Sequence, residues 1–275
     1  MSTVGTAAPY RFFDLTVAGT EPVGQSTIRV TLTGAGVEDL VSGGRDQRLK
    51  LFVPQPGQDR PVVPTEAGTD WFSHWRAMDP GVRGVMRTYT VAAHRPARQE
   101  LDIDFVRHTP AGPAAHWAVH AQPGDAVTVL GPVVDENGGF DFRPPPETDW
   151  VLIVADETAL PATAGILRWL PAGTRAVVWV AVPHPADRRE LPTAADAEIH
   201  WVVDGPTGVL AQLQSAELPT GTPYAWLAGE TGLVRALRRQ LISDRGFPKS
   251  RITFSGYWRR GASEEQLLTE ALAGS

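Results

Sequence analysis

The tightest constraint in this chain is the stretch Trp150-Val151-Leu152-Ile153-Val154-Ala155, six consecutive apolar residues bounded by Asp149 and Asp156. Side chains alternate between the two faces of a strand, so a run that is apolar at every position needs cover on both faces. It is far too short to span a membrane as a helix, which takes about 20 residues. The run therefore belongs inside a sheet packed on two sides, and residues 176–182 repeat the pattern. Helical stretches are predicted over 158–170 (with Pro161 in the first turn), 206–215 and 230–244, and further strands over 198–203, 224–228 and 251–255. Strands alternating with helices predict a parallel, doubly wound sheet. A last helix is predicted over 263–272, with Ser263 as N-cap and Glu265 and Gln266 near its first turn.

The first half reads differently. Short strands are predicted over 12–18, 26–33, 48–53, 85–92, 101–107 and 126–130, punctuated by Gly and Pro. Leu101, Ile103 and Phe105 share one face of their strand and Asp102 and Asp104 the other, the alternation of a half-buried strand. Such strands predict a sandwich or a barrel; followed by an α/β half, they give as the expected fold an antiparallel Greek-key barrel plus a doubly wound domain. Gly138-Gly139 and Pro144-Pro145-Pro146 mark a linker within 137–149, so the expected organisation is a barrel over 1–143 and an α/β domain over 144–275.

Composition narrows the function. The chain has no cysteine, which removes disulfides, thiolate metal sites and thiol catalysis. A net charge of −6 without a basic stripe argues against nucleic acid as a partner. The N-terminus lacks the basic and apolar regions of a secretory signal, and no apolar run suits stable membrane insertion; both point to the cytoplasm. The seven His residues show no metal spacing, apart from His116 and His120 four apart on a possible helix, so no metal site is assigned.

Two segments carry chemistry. Arg87-Thr88-Tyr89-Thr90 lies in a strand, where Arg87 and Tyr89 share one face and Thr88 and Thr90 the other. A flat aromatic side chain and a cation suit an isoalloxazine ring and its pyrophosphate; an amphipathic strand with a surface Arg fits the same letters. The second segment runs from His108 through Gly112, Pro113, Ala114 and Ala115 to Trp117, entering a helix near Ala114. A helix start offers free N–H groups to a phosphate, and Gly112 permits close approach; an ordinary strand-to-helix turn is the simpler alternative.

Taken in order, Arg-x-Tyr-Thr, the strand Asp102-Ile103-Asp104-Phe105-Val106, His108, Gly112-Pro113-Ala114, Trp117, Pro123-Gly124-Asp125 and Gly131-Pro132 resemble the siderophore-interacting protein family. These are FAD-dependent ferric-siderophore reductases of the ferredoxin-reductase superfamily. Arg29–Gly34 resembles the family's early strand. Asp156-Glu157-Thr158-Ala159-Leu160-Pro161-Ala162 resembles the opening of its second domain, and Trp226–Glu230 and Gly256–Gly261 its C-terminal signatures. The resemblance implies a barrel that holds FAD and an α/β domain that brings NADH or NADPH to it. It further implies that Arg87, Thr88, Tyr89, Thr90, Asp104, Val106, His108, Gly112, Pro113, Ala114 and Ala115 contact the cofactor, with Tyr89 against the ring. Asp156, Glu157 and Thr158, with Ala159, would sit where the second domain meets the flavin, Gly229 and Glu230 would lie along the pyridine-nucleotide cleft, and Tyr257 and Trp258 would cover the nicotinamide side of the flavin.

One feature departs from the wider superfamily, though the resemblance implies that it is typical of the siderophore-interacting family: no Gly-x-Gly-x-x-Gly follows the strand ending at Ala155, and Asp156 and Glu157 stand there, acids that repel a phosphate or accept a hydrogen bond from a ribose hydroxyl. The activity implied is reduction of siderophore-bound iron(III) to iron(II). A flavin suits it, because a flavin exchanges electrons in pairs or singly. Iron(II) binds hard oxygen ligands more weakly, so reduction releases the metal. An anionic ferric siderophore needs basic partners, for which Arg48, Lys50, Arg259 and Arg260 are the candidates. Arg235, Arg238 and Arg239 read as an exposed helix face that would also suit a 2′-phosphate. No general acid or base is required. Alternatives are another flavin reductase, ferredoxin-driven included, or a siderophore-binding protein without enzymatic activity.

Overall fold

The computed structural model describes residues 9–108, 111–203, 205–262, 266 and 270. The chain forms two compact units, one of residues 1–22, 28–43 and 47–140, the other of residues 23–27, 44–46 and 141–275.

The first unit is an antiparallel sheet of β1 (Tyr10–Pro22), β2 (Thr27–Thr33), β3 (Arg48–Val53), β4 (Val85–Thr90), β5 (Ala93–Arg95), β6 (Glu100–Val106) and β7 (Ala126–Pro132), with helices α1 (Trp71–Ala77) and α2 (Pro113–His120). The strand order is β4-β3-β7-β1-β2-β6-β5. β4 and β5 stand at opposite edges, yet only Val91 and Ala92 separate them. Two residues reach roughly 7–10 Å at most, so the sheet has curled until its edges meet. The hydrogen bonds show the hand-over: Val91 N donates to Gln47 O on the β3 side (2.8 Å), and Ala92 N donates to Asp102 O on β6 (3.0 Å). The sequence reads 85–92 as one strand; the fold bends it there to serve both edges.

Alternate residues fill the barrel: Leu49 and Leu51, Leu101, Ile103 and Phe105, Val127 and Val129 are buried together, with Ala114 and Ala118 of α2 packed on them. Helix α1 was not expected from the sequence. Trp71 and Trp75, one turn apart, cover Phe52 at ring-centroid distances of 5.9 and 6.5 Å. A short aromatic helix of this kind gains its stability from tertiary packing rather than from propensity.

The second unit is a parallel sheet of β8 (Trp150–Ala155), β9 (Arg175–Ala181), β10 (Asp196–Val202), β11 (Pro223–Glu230) and β12 (Ile252–Trp258), in the order β10-β9-β8-β11-β12. Helices α3 (Leu160–Trp169), α4 (Gly205–Ser215) and α5 (Thr231–Ser243) connect the strands. All of β8 is buried: Val151, Ile153 and Ala155 enter one core, and Trp150, Leu152 and Val154 the other. The chain leaves β8 towards β9 on one side and later returns to β11 on the other. The carboxyl ends of β8 and β11 therefore form the topological switch point, where doubly wound sheets bind ligands. Buried Asp46 accepts from Phe142 N (3.0 Å), Asp141 N and the Trp226 indole N–H (3.1 Å) within this unit. Of the helix predicted over 263–272, only Gln266 and Glu270 are described, both helical; the rest lies outside the described residues.

Candidate active site

In the barrel, the register of β3 against β4 fixes which predicted residues share a face. Leu49 pairs with Tyr89 and Leu51 with Arg87, so Tyr89 and Arg87 lie on the side of the interior leucines. Arg48 pairs with Thr90 and Lys50 with Thr88 on the other side, where the Lys50 ammonium donates to Thr88 Oγ1 (2.7 Å). Arg48 donates through Nε to the Gly139 carbonyl (3.3 Å).

Tyr89 packs its ring against Phe105 at 4.4 Å, and Phe105 meets Trp117 at 5.9 Å, so β4, β6 and α2 are held by one aromatic contact chain. The Arg87 guanidinium donates to the Met86 carbonyl (2.7 Å). At the start of α2, Gly112 is the N-cap in extended conformation (φ −71°), Pro113 occupies the first turn, and no acidic residue stands there. A glycine cap has no side chain of its own to bond the first amides, those of Ala114 and Ala115. A cation, a flat ring and a helix start without a side-chain cap fit the three parts of a flavin dinucleotide.

Other predicted residues sit elsewhere. The Asp104 carboxylate accepts from Arg29 Nε (2.7 Å) and Nη2 (3.1 Å), on the strand face opposite Phe105, where Arg95 also binds Asp102. Its immediate role is an ion-pair ladder on the barrel wall. Val106 ends β6, and His108 is exposed two residues beyond. His116 and His120 bring their rings to 4.5 Å at a tilt of 33°, and among the described residues no set of three His, Cys, Asp or Glu side chains could hold a metal.

At the switch point of the α/β unit, Asp156 is 4% exposed. Its Oδ1 accepts from Thr158 N (2.9 Å) and the Thr158 hydroxyl, and its Oδ2 from Glu230 N (2.7 Å) and the Trp258 indole N–H (2.9 Å). Gly229 makes room, since a Cβ there would lie 2.5 Å from the carboxyl carbon, and its φ is +136°. Burial pushes the Asp156 carboxyl up from the usual carboxylate range, against the pull of its donors. Glu157 is pushed up to about 7, by burial first and then by the neighbouring Asp156 and Asp187 charges. Glu230 caps α5, its Oε2 accepting from Leu233 N (2.9 Å). Ala159 is fully buried, and Tyr257 is half-buried against the core. Arg259 pairs with Glu270 at 2.7 Å, and Arg260 is exposed. Sequence reasoning assigned Asp156 and Glu230 to the nucleotide's surroundings but missed that both fill helix starts; an acid directly after a strand and directly before a helix was the available signal.

A curled antiparallel barrel followed by a doubly wound parallel sheet is the ferredoxin-reductase-like architecture of FAD- and NAD-binding proteins, seen also in the FAD/NAD-binding domain of a Vibrio cholerae nitric oxide dioxygenase (TM-score 0.63, 16% identity, 90% of this chain and 98% of that one). The model of the siderophore-interacting FAD-binding domain matches residues 16–136, and that of the siderophore-interacting protein matches residues 148–261. The chain is 32% identical over 252 residues to the ferric vibriobactin reductase ViuB of Vibrio cholerae, covering 88% of each protein. It is 32% identical over 258 residues to an NADPH-dependent ferric-chelate reductase of Escherichia coli, covering 90% of this chain and 93% of that one. The crystal structure of the siderophore-interacting protein SipS from Aeromonas hydrophila superimposes with a TM-score of 0.78 at 30% identity, over 98% of this chain and 100% of that one. This chain belongs to the siderophore-interacting protein family, as the ordered motifs indicated.

Proposed function

We propose that this protein is an FAD-dependent reductase that converts siderophore-bound iron(III) to iron(II), drawing electrons from NADH or NADPH. The observation that carries this reading is the barrel strand presenting Arg87 and Tyr89 on one face, beside a helix start without a side-chain cap, in a chain of this family. Bound FAD would supply the conversion between paired and single electrons, so that one reduced nicotinamide would provide the two electrons for two iron(III) ions, leaving the oxidised nicotinamide and one proton.

The chain's own residues bind and orient. Arg87, with the first amides of α2 at Ala114 and Ala115, would neutralise the pyrophosphate. Tyr89, whose ring is held against Phe105, would lie against the flavin ring. His108, beyond the end of β6, is a further proposed cofactor contact, whereas Thr88 and Thr90 lie on the opposite face of β4, with Arg48 and Lys50. Residues 1–143 are assigned to FAD and residues 144–275 to the electron donor, with Trp258 held in place by Asp156. Arg48, Lys50, Arg259 and Arg260 are the proposed contacts for an anionic ferric siderophore, and Lys50 is tied to the motif strand through Thr88. The reductant supply implies work in the cytoplasm; no helix among the described residues is long and apolar enough to cross a membrane.

The relative named as NADPH-dependent supports NADPH as donor. Reduced ferredoxin is a second reading, favoured by the carboxylate at the switch point where superfamily members carry glycines. Anaerobic titration tests both. The purified protein should show a flavin spectrum that bleaches with NADH, NADPH or reduced ferredoxin and returns on adding a ferric siderophore, with iron(II) trapped by a chelator. A flavin that bleaches but is not reoxidised by any ferric siderophore overturns the proposal.

A further inference from the structure

Three obligate N–H donors from three separate places converge on the Asp156 carboxylate: the amide of Thr158 after β8, the amide of Glu230 at the end of β11, and the indole of Trp258 at the end of β12. Such convergence at the carboxyl ends of the switch-point strands is the geometry by which doubly wound folds hold a pyrophosphate. Here the anion is supplied by the protein. The backbone is shaped around it, since any side chain at Gly229 would collide with the carboxyl.

The second helix start at this crest is filled in the same way. Glu230 places Oε2 on the amide of Leu233 in the first turn of α5, and a Cβ at Gly232 would lie 2.7 Å from that oxygen. The short 3-10 turn Glu157–Ala159 that follows β8 and the start of α5, which flank the switch point, are therefore both closed from within, by side chains whose charge also repels a phosphate.

We propose that Asp156, assisted by Glu230, is a built-in anion that occupies the phosphate seat of the α/β unit and so sets donor specificity, excluding a dinucleotide's pyrophosphate from the crest. The donor is then recognised chiefly through its nicotinamide–ribose half. This inference rests on the reading that a reduced nicotinamide is the donor.

The test uses the full-length, FAD-loaded protein and the variants Asp156→Ser and Glu230→Ser; serine retains the ability to cap a helix start without the charge. Inorganic pyrophosphate binding is measured by calorimetry at pH 6, below the value of about 7 to which Glu157 is raised, so that its charge interferes least. The wild-type protein should show no binding at the crest, and Asp156→Ser should gain affinity by about tenfold or more, with a smaller gain for Glu230→Ser. Flavin reduction is then followed with whichever of NADPH and NADH reduces the wild-type flavin faster and with reduced nicotinamide mononucleotide, which lacks the pyrophosphate link and the adenosine. The wild-type ratio of kcat/KM for the two should lie within about threefold and should rise about tenfold in Asp156→Ser.

A folded Asp156→Ser protein that binds pyrophosphate no better than wild type overturns the inference, as does a wild-type preference for the dinucleotide that the substitution leaves unchanged. If Asp156→Ser does not fold unaided, refolding with pyrophosphate against chloride at matched ionic strength decides: selective recovery with pyrophosphate supports the seat, and equal outcomes reject it. Failure of both nucleotides to reduce wild-type flavin would instead remove the nicotinamide reading, while pyrophosphate binding still reports on the seat.

Discussion

The two units treat the same physical device in opposite ways. In the barrel, α2 begins with Gly112 and Pro113, has no acid in its first turn, and leaves its leading amides without a side-chain cap. In the α/β unit, the turn after β8 and the start of α5 are closed by Asp156 and Glu230. Every helix start presents unsatisfied N–H groups and partial positive charge, so each must find an acceptor. A start left for a ligand suits a cofactor that stays bound, whereas a start closed by the chain's own carboxylate suits a donor that visits and leaves.

The sharpest way to break this contrast is through its two glycines. Gly229→Ala forces a Cβ against Asp156 at a positive φ and should cost about 3 kcal/mol, read as a lower urea midpoint. A cost below about 1 kcal/mol would show that the carboxylate is not locked in its seat. Glu157→Gln probes the electrostatics of the same crest. The Glu157 carboxyl is held near 7 in the folded protein and near its ordinary 4.5 when unfolded. The folded state therefore binds more protons between these values, and this stabilisation, complete below about pH 4.5, is lost as pH rises through 7. Above pH 7 the glutamine variant should be the more stable by about 2–3 kcal/mol, and the advantage should vanish by pH 4.5; a difference independent of pH contradicts the burial of this charge.

On the barrel side, Arg87→Ala should weaken FAD binding about 30-fold, equivalent to about 2 kcal/mol, measured by recovery of flavin fluorescence on dilution. Unchanged occupancy would remove this strand from the site. The smallest effect is expected for Gly112→Ala. Its φ is ordinary for any residue and its Cβ would meet nothing within 4 Å. Stability should change by less than about 0.5 kcal/mol. FAD affinity should nevertheless fall by about threefold to tenfold, because the methyl group intrudes on a ligand rather than on the protein. A loss of stability without a loss of affinity would show that this helix start serves packing alone.

Much of the architecture was legible because it is periodic. The apolar run at Trp150–Ala155 and the alternation in Leu101–Phe105 are local patterns with one physical solution each, and β3 and β8 have the bounds that the sequence indicates. The bend at Val91 and Ala92 was not legible, because Val-Ala continues a strand pattern and only barrel closure requires the turn. Helix α1 was missed because Trp71 and Trp75 are stabilised by Phe52, far away in sequence. In the site, Arg87 and Tyr89 were placed on one face by a period of two.

By itself the sequence determined the two kinds of sheet, their order along the chain, and the family, because these follow from the spacing of apolar residues and from ordered motifs. Only the tertiary structure decided what Asp156 does. Two of its N–H partners, at Glu230 and Trp258, lie 74 and 102 residues away, and no local pattern records that their donors meet at one point. A carboxylate in the turn after a switch-point strand reads as a repulsive charge until the fold supplies the donors that make it the turn's own anion.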